Sequence, residues 1–187
     1  MRKNKIISIA LAMGLAVTFT SCGSKDSSSS VSDSASSSYT TEELAGKISL
    51  CGKQLKYPLT LADLGEGFTF DSYKQQSSNG TMVNLLYDNQ LVCALEYYCG
   101  QEEVNENTPI DNIQFTANDF NRDKISIDGF TANDTPEVLE EKLGAPTSTK
   151  KGIRTYDTSN NGKLEVVDIG GKIFSFAFFM KLPENNK

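Results

Sequence analysis

The 187-residue sequence contains no histidine and no tryptophan. The lack of histidine excludes Ser-His-Asp and Cys-His catalysis, His-ligated zinc and histidine acid–base chemistry. Basic residues are also few, because 18 Lys and Arg stand against 24 Asp and Glu, for a formal charge of −6. A nucleic-acid-binding protein would carry a basic face, so we expect no nucleic acid among the partners.

Motifs of the common enzyme classes are missing as well. The sequence has no P-loop, no Gly-x-Ser-x-Gly and no dinucleotide fingerprint, since the segment 65–67 (GEG) lacks the third glycine. The paired acids Glu102-Glu103 and Glu140-Glu141 fall in a polar linker and on a helix face, whereas glycosidases need two converging carboxylates. The sequence therefore predicts a protein that is not an enzyme, without catalytic residues or cofactors.

The N-terminal segment, residues 1–21, is predicted to be a targeting signal. Three basic residues precede an apolar run from 6 to 19, which is short for a membrane span of about 20 residues. Thr20 and Ser21 are small, and Cys22 follows them. This order resembles the lipobox of bacterial lipoproteins, although Phe19 stands where that family usually has Leu. The resemblance implies a diacylglycerol on the Cys22 thiol and cleavage before this residue. The alternative is a secreted protein cut nearby, with a free Cys22.

The lipid on Cys22 would place the protein outside the cytoplasm, anchored to the cell membrane of a bacterium. Residues 24–38 contain ten serines and only two apolar residues. Such a segment buries too little surface to offset its ordering entropy, so 22–39 is predicted to be a lipidated Cys and a disordered tether. Cleavage removes three basic residues, which leaves the mature chain more acidic. The acyl chains are therefore expected to hold the protein on the membrane, and each buried CH₂ contributes about 0.8 kcal/mol of binding free energy.

The folded body is predicted to be α+β, an antiparallel sheet with short helices on one face. We expect two similar lobes, 40–110 and 111–183, followed by a tail at 184–187. Each lobe has a strand, a Thr-led helix ending in Leu-Gly and then antiparallel strands. Two capping boxes predict short helices, one with Thr40 as the N-cap and Glu43 at N3, and one with Thr60 as the N-cap and Asp63 at N3. Gly65 is expected to end the second helix.

A third helix is predicted before Gly144. Either Asp134 or Thr135 serves as its N-cap, and Pro136 lies in its first turn. Gly144 ends the helix, and its buried stripe is predicted to be Val138, Leu139 and Leu143.

Alternating patterns predict the strands. The predicted segments are a small hairpin or a bent strand within 47–57 that turns at Gly52-Lys53, a hairpin of 81–87 and 91–99 around Asp88-Asn89, and strands at 113–115, 124–127, 154–157, 164–169 and 172–181. Apolar residues on both faces of 172–181 predict a central strand. Its Phe174, Phe176, Phe178 and Met180 are expected to be core.

The segment 127–146 (IDGFTANDTPEVLEEKLGAP), followed by Tyr156, resembles part of the SmpA/OmlA (BamE-like) lipoproteins and of the β-lactamase-inhibitor-protein-like fold. The resemblance implies a helix on an antiparallel sheet and binding to other proteins. We therefore expect a non-enzymatic protein- or ligand-binding module with an envelope protein partner. The alternative is an accessory or inhibitor subunit of a surface or secreted enzyme. The binding module and the accessory subunit would be distinguished by whether a concave sheet face exposes aromatic side chains such as Tyr97, Tyr98 or Tyr156.

Three cysteines remain after Cys22. Cys93 and Cys99 lie six residues apart on one predicted strand, about 20 Å, whereas disulfide Cα atoms lie within about 7 Å. Cys51 has the reach to pair with either of them, and the alternative that we favour is three reduced, buried thiols.

Two segments have part of the EF-hand spacing. In the first, Asp119, Asn121 and Asp123 are followed by Lys124 and Phe130 where Gly and Glu are needed. The second, 157–168, lacks flanking helices. We predict no metal site.

Overall fold

The computed structural model describes residues 39–183. The predicted signal peptide at 1–21, the lipid attachment residue Cys22, the tether up to residue 38 and the tail at 184–187 lie outside the described residues. Within the described residues, no helix has the length and apolar character needed to cross a membrane.

Short helices and many strands make up the described chain. The helices are α1 (Thr41–Ala45), α2 (Leu61–Leu64) and α3 (Pro136–Leu143), with a 3₁₀ turn at Gln101–Glu103. The strands are β1 (Ile48–Leu50), β2 (Lys53–Gln54), β3 (Phe68–Gln76), β4 (Thr81–Tyr87), β5 (Gln90–Tyr97), β6 (Asn112–Thr116), β7 (Ile125–Ile127), β8 (Phe130–Thr131), β9 (Ser148–Lys150), β10 (Ile153–Asp157), β11 (Lys163–Ile169) and β12 (Lys172–Phe179).

The strands form two antiparallel sheets. The larger has eight strands in the order β3-β4-β5-β6-β12-β11-β10-β9, and the smaller has four in the order β2-β1-β7-β8. Every strand pair is antiparallel. The predicted α+β class is confirmed. Both sheets contain strands from 40–110 and from 111–183, so the two predicted lobes share their sheets.

Apart from the additional edge strand β9, the strand order is symmetric about β6. The first repeat, residues 47–97, contributes β1, β2, α2 and β3 to β5. The second repeat, residues 124–179, contributes β7, β8, α3 and β10 to β12. In the large sheet, β5 and β12 flank β6, and β4 and β11 lie outside them. In the small sheet, β1 pairs with β7, and their partners β2 and β8 form the edges.

Local sequence explains the helix ends. Thr40 and Thr60 accept hydrogen bonds from the N3 backbone N–H groups, and Glu43 and Asp63 bond back to the N-cap amides, as predicted for capping boxes. The α3 N-cap is Thr135, which resolves the open alternative. The Asp134 carboxylate instead accepts from the backbone and hydroxyl of Thr131.

The core lies between the two sheets. Small-sheet residues Ile48 and Ile127 pack towards Phe115 and Phe176 of the large sheet, and these two rings stack at 5.3 Å. The buried side chains of α3 are Pro136, Leu139 and Leu143. Val138 is only half-buried, so the predicted stripe is corrected at that position. The stripe of phenylalanines on β12 is core, as expected, although Phe174 is half-buried.

The observed strands differ from the predicted ones at several positions. The first hairpin turns at Cys51-Gly52, where both residues have positive φ, and not at Gly52-Lys53. β5 ends at Tyr97, so Cys99 lies beyond the strand. No strand was predicted at β3, because its residues 71–76 are mostly polar and lie on an edge strand, and none was predicted at the short strands β8 and β9.

Candidate binding cleft

Three turns meet around a cleft of about 480 Å³, within the range of roughly 300–1,000 Å³ that is usual for ligand sites. They are the β1–β2 turn, the β4–β5 turn and the loop between β6 and β7. The residues that line the cleft are Cys51, Tyr87, Asp88, Gln90, Leu91, Val92, Asn118, Phe120 and Lys124.

The β4–β5 turn forms one wall. Asp88 and Asn89 have φ of 50° and 63°, the conformation of a type I′ hairpin turn, as the sequence predicts. Beside the turn, Tyr87 packs against Phe68 with ring centroids 4.7 Å apart. Gly67 lies under the same ring, because a Cβ there would come within 2.8 Å of Tyr87. This packing fixes the ring in the wall of the cleft.

A buried asparagine shapes the opposite wall. The Asn121 side chain donates to the carbonyls of Thr116 and Val92 at 3.0 and 3.3 Å, and its oxygen accepts from the Asn118 amide at 2.7 Å. These bonds tie the loop to β6 and β5. Phe120 precedes Asn121, and the Lys124 amide donates to the Asn121 carbonyl at 2.9 Å, so both residues are held at the cleft.

The cleft exposes two large apolar side chains. Phe120 is 85% exposed, and Leu91 is 51% exposed. Buried Val92 lies at the base, where β5 has a bulge opposite Leu85 and Leu86. Because exposed apolar side chains grouped in a concavity are typical of binding sites, this arrangement is suited to holding an apolar group.

The three described cysteines are free thiols. Only Cys93 is buried; Cys51 and Cys99 are half-buried, which corrects the expectation of three buried thiols. Burial raises the pKa of the Cys51 thiol, which lines the cleft, and it raises the pKa of Cys99 as well. Complete burial places the pKa of Cys93 far above its usual range. All three thiols are therefore poor nucleophiles at neutral pH.

The EF-hand-like segments have structural roles. Asn121 anchors the cleft loop, as described above. In the second segment, Asn160 accepts hydrogen bonds from the amide and hydroxyl of Thr41, and its own amide donates to Glu42. This segment therefore fastens α1 to the β10–β11 turn. Among residues 39–183, no three His, Cys, Asp or Glu residues are grouped so as to hold a metal ion.

The tyrosines named as candidate contacts do not form an exposed aromatic face. Tyr97 and Tyr156 are buried, and the Tyr98 hydroxyl is buried although its residue is half-exposed. The Glu102-Glu103 pair is exposed at the 3₁₀ turn. Glu140 of the second pair forms an ion pair with Arg154 at 2.9 Å. Neither acid pair lines the cleft described above.

The burial of Glu96 was not predicted from the sequence. Glu96 is 3% exposed, and neutral groups satisfy its carboxylate: Ser77 donates at 2.7 Å, Asn112 at 3.0 Å and Gln114 at 3.3 Å. Buried charge is costly unless hydrogen-bonded, so these three donors stabilise β5 within the sheet.

The cleft itself was also missed, because it forms from turns that lie far apart in the chain. One signal was available. The sequence Lys47-Ile48-Ser49 recurs as Lys124-Ile125-Ser126, and each copy leads into a turn containing glycine. Both copies therefore begin a β-hairpin of the small sheet, and the first turn borders the cleft.

Compared with known protein families, curated proteins and solved structures, the chain matches none. The resemblance to the SmpA/OmlA lipoproteins therefore stays a prediction.

Proposed function

We propose that this protein is a membrane-anchored, extracytoplasmic lipoprotein that acts as a non-enzymatic protein- or ligand-binding module at the cell envelope. The observation that carries the proposal is the cleft in which Phe120 and Leu91 stand exposed beside Tyr87. An acidic body with a well-packed core has no structural need for these side chains in water. Their grouping in one concavity is explained by a partner that covers them.

The anchor rests on the lipobox-like order that ends at Cys22. Two or more acyl chains hold a protein stably on a bilayer, and a basic surface is not required. Replacing Cys22 with Ala in the full-length chain is expected to move the protein from the membrane fraction to the soluble fraction. Mass spectrometry of the N-terminal peptide should find diacylglycerol on Cys22 in the unaltered protein. An unmodified Cys22 in membrane-bound protein would contradict the anchor.

Binding is tested by affinity capture from native membranes with three forms of the tagged protein. The first is unaltered, the second carries Phe120→Ala and Leu91→Ala, and the third carries Tyr73→Ala. Tyr73 is the matched control, since it is 67% exposed and does not line the cleft. We expect one partner at near-stoichiometric amount with the first and third forms, and its loss with the second. Equal recovery with all three forms would contradict the role of the cleft.

The alternative function, an accessory or inhibitor subunit of an enzyme, is favoured by a different surface. The face of the large sheet opposite the core carries a row of half-buried side chains across six strands. In register, they are Asn84, Ala94, Gln114, Ala177, Glu165 and Thr155. Such a broad, mixed surface suits protein docking. Capture that is abolished by Ala177→Arg and unaffected by Phe120→Ala would favour this alternative.

A further inference from the structure

The two hairpins of the small sheet have equivalent backbones. The Cys51 amide donates to the Lys124 carbonyl at 2.6 Å, and the Asp128 amide donates to the Lys47 carbonyl at the same distance. The turn residues Cys51 and Asp128 have φ of 48° and 51°, and a glycine follows each. Lys124 therefore occupies the position of Lys47, and Cys51 occupies the position of Asp128.

The side chains at these equivalent positions differ. In the second repeat's turn, Lys47 Nζ pairs with Asp128 Oδ2 at 3.3 Å, and it also lies 5.4 Å from the centre of the Tyr39 ring. At the other turn, Cys51 replaces the acid. Among residues 39–183, Lys124 forms no ion pair. The half-buried Lys124 instead lines the cleft together with Cys51.

From this difference we infer that the cleft binds a ligand with an apolar body and one anionic group, and that Lys124 pairs with the anion. The apolar body packs against Phe120, Leu91 and Tyr87. Lys124 is a half-buried residue at the edge of an apolar concavity, where water screens the pairing of opposite charges less than it does on an open surface. The inference rests on the proposed function and names the ligand class for the same cleft.

Asp88 limits the charge of the ligand. Among residues 39–183, Asp88 is the one residue with a carboxylate that lines the cleft, and it lies on the turn between β4 and β5. One ammonium and one carboxylate favour a single anionic group at the Lys124 side and disfavour a second one near Asp88. Removing the Asp88 charge is therefore expected to strengthen the binding of an anion.

The test uses two fluorescent probes that share an aromatic body. 1-Anilinonaphthalene-8-sulfonate carries one anion, and N-phenyl-1-naphthylamine carries none. Each is titrated into residues 22–187 carrying Cys22→Ala, so that no acyl group competes. We expect one-to-one binding of both probes, with Phe120→Ala weakening both.

Charge dependence is read from four variants. Lys124→Gln should weaken the sulfonate probe about tenfold and leave the neutral probe within about twofold. Cys51→Asp should do the same, because it recreates the acid that Asp128 supplies to Lys47, and Asp tolerates this positive φ. Asp88→Asn should tighten the sulfonate probe. Lys47→Gln is the matched control and should change neither.

The sources of such a ligand are separated by competition. Decanoate represents a fatty acid, and N-acetylphenylalanine represents the C-terminus of a peptide. Displacement of the sulfonate probe by one of them supports the inference and assigns the source, whereas displacement by neither overturns it. Equal sulfonate affinity in the unaltered protein and Lys124→Gln also overturns it. The proposed function fails when capture recovers nothing that depends on Phe120 and Leu91 and neither probe binds, whereas binding of both probes with equal sulfonate affinity in Lys124→Gln overturns the inference alone.

Discussion

The side-chain oxygens of Ser49 and Ser126 lie 2.7 Å apart at the centre of the β1–β7 pair. The residues on either side pair symmetrically, Ile48 with Ile127 and Leu50 with Ile125. The two serines are equivalent positions of the two repeats, so this hydrogen bond lies on the approximate two-fold axis that relates the hairpins. It joins segments 77 residues apart in the chain.

The hydrogen bond between Ser49 and Ser126 predicts that the effects of their substitutions on stability are coupled. Ser49→Ala and Ser126→Ala should each lower the free energy of unfolding by about 1 kcal/mol, because each leaves the other half-buried hydroxyl without its partner. The double variant should cost little more than either single variant. Urea unfolding of the four proteins measures this cycle. Additive losses would show that the two hydroxyls do not interact.

Asn121 is predicted to hold the cleft loop. Asn121→Ala removes three hydrogen bonds from a buried position, so the free energy of unfolding should fall by about 2 kcal/mol. Binding of the neutral probe should weaken in the folded variant, since the Phe120 loop loses its attachment. The exposed Asn79→Ala is the control, with stability expected within about 0.5 kcal/mol of the unaltered protein. A stable Asn121→Ala protein would disprove this role.

Asp111 predicts a dependence of stability on pH. Burial raises the pKa of its carboxyl above the ordinary 3.8, although the hydrogen bond from the Tyr98 amide acts in the opposite direction. The folded state therefore favours the protonated form, and the contribution of Asp111 to stability falls as the pH rises above 3.8. Asp111→Asn keeps an acceptor for Tyr98 without the charge.

The unfolding free energy of Asp111→Asn relative to the unaltered protein should accordingly increase between about pH 3 and about pH 7. Thermal or urea unfolding across that range gives the measurement. A difference that stays constant with pH, or decreases, would contradict the burial of a charged Asp111.

The three described cysteines should differ in their reactivity towards alkylation in the native protein. Iodoacetamide should modify Cys51 and Cys99 slowly in the native protein, because their raised pKa values leave little thiolate, and it should not reach buried Cys93. All three should react at similar rates in guanidinium chloride. Peptide mass spectrometry follows each site, and native labelling of Cys93 at the rate of Cys99 would show that β5 is poorly packed.

Local chemistry made parts of this fold readable from the sequence. The capping pairs at Thr40 and Thr60, and the Pro136 and Gly144 that bound α3, act within a single turn of chain. The Asp88-Asn89 turn is equally local. The helix and hairpin predictions at these positions were confirmed for that reason.

Long-range pairing was not readable in the same way. Nothing local to Ser49 indicates that its neighbour is Ser126, and the strand β3 has polar residues on both faces because it lies at a sheet edge. The cleft depends on these distant pairings, since Cys51 and Lys124 meet only when β1 joins β7. The exposure of Phe120 likewise depends on the buried bonds of Asn121.

The most direct test of the binding function is photocross-linking in native cells. Phe120 is replaced by p-benzoylphenylalanine in the full-length, anchored protein, and Tyr73 is replaced in the same way as the control. We predict one discrete cross-linked species from position 120 and none at that mass from position 73. If position 120 gives no adduct, or the same adducts as position 73, then the cleft does not bind a partner and the proposed function is wrong.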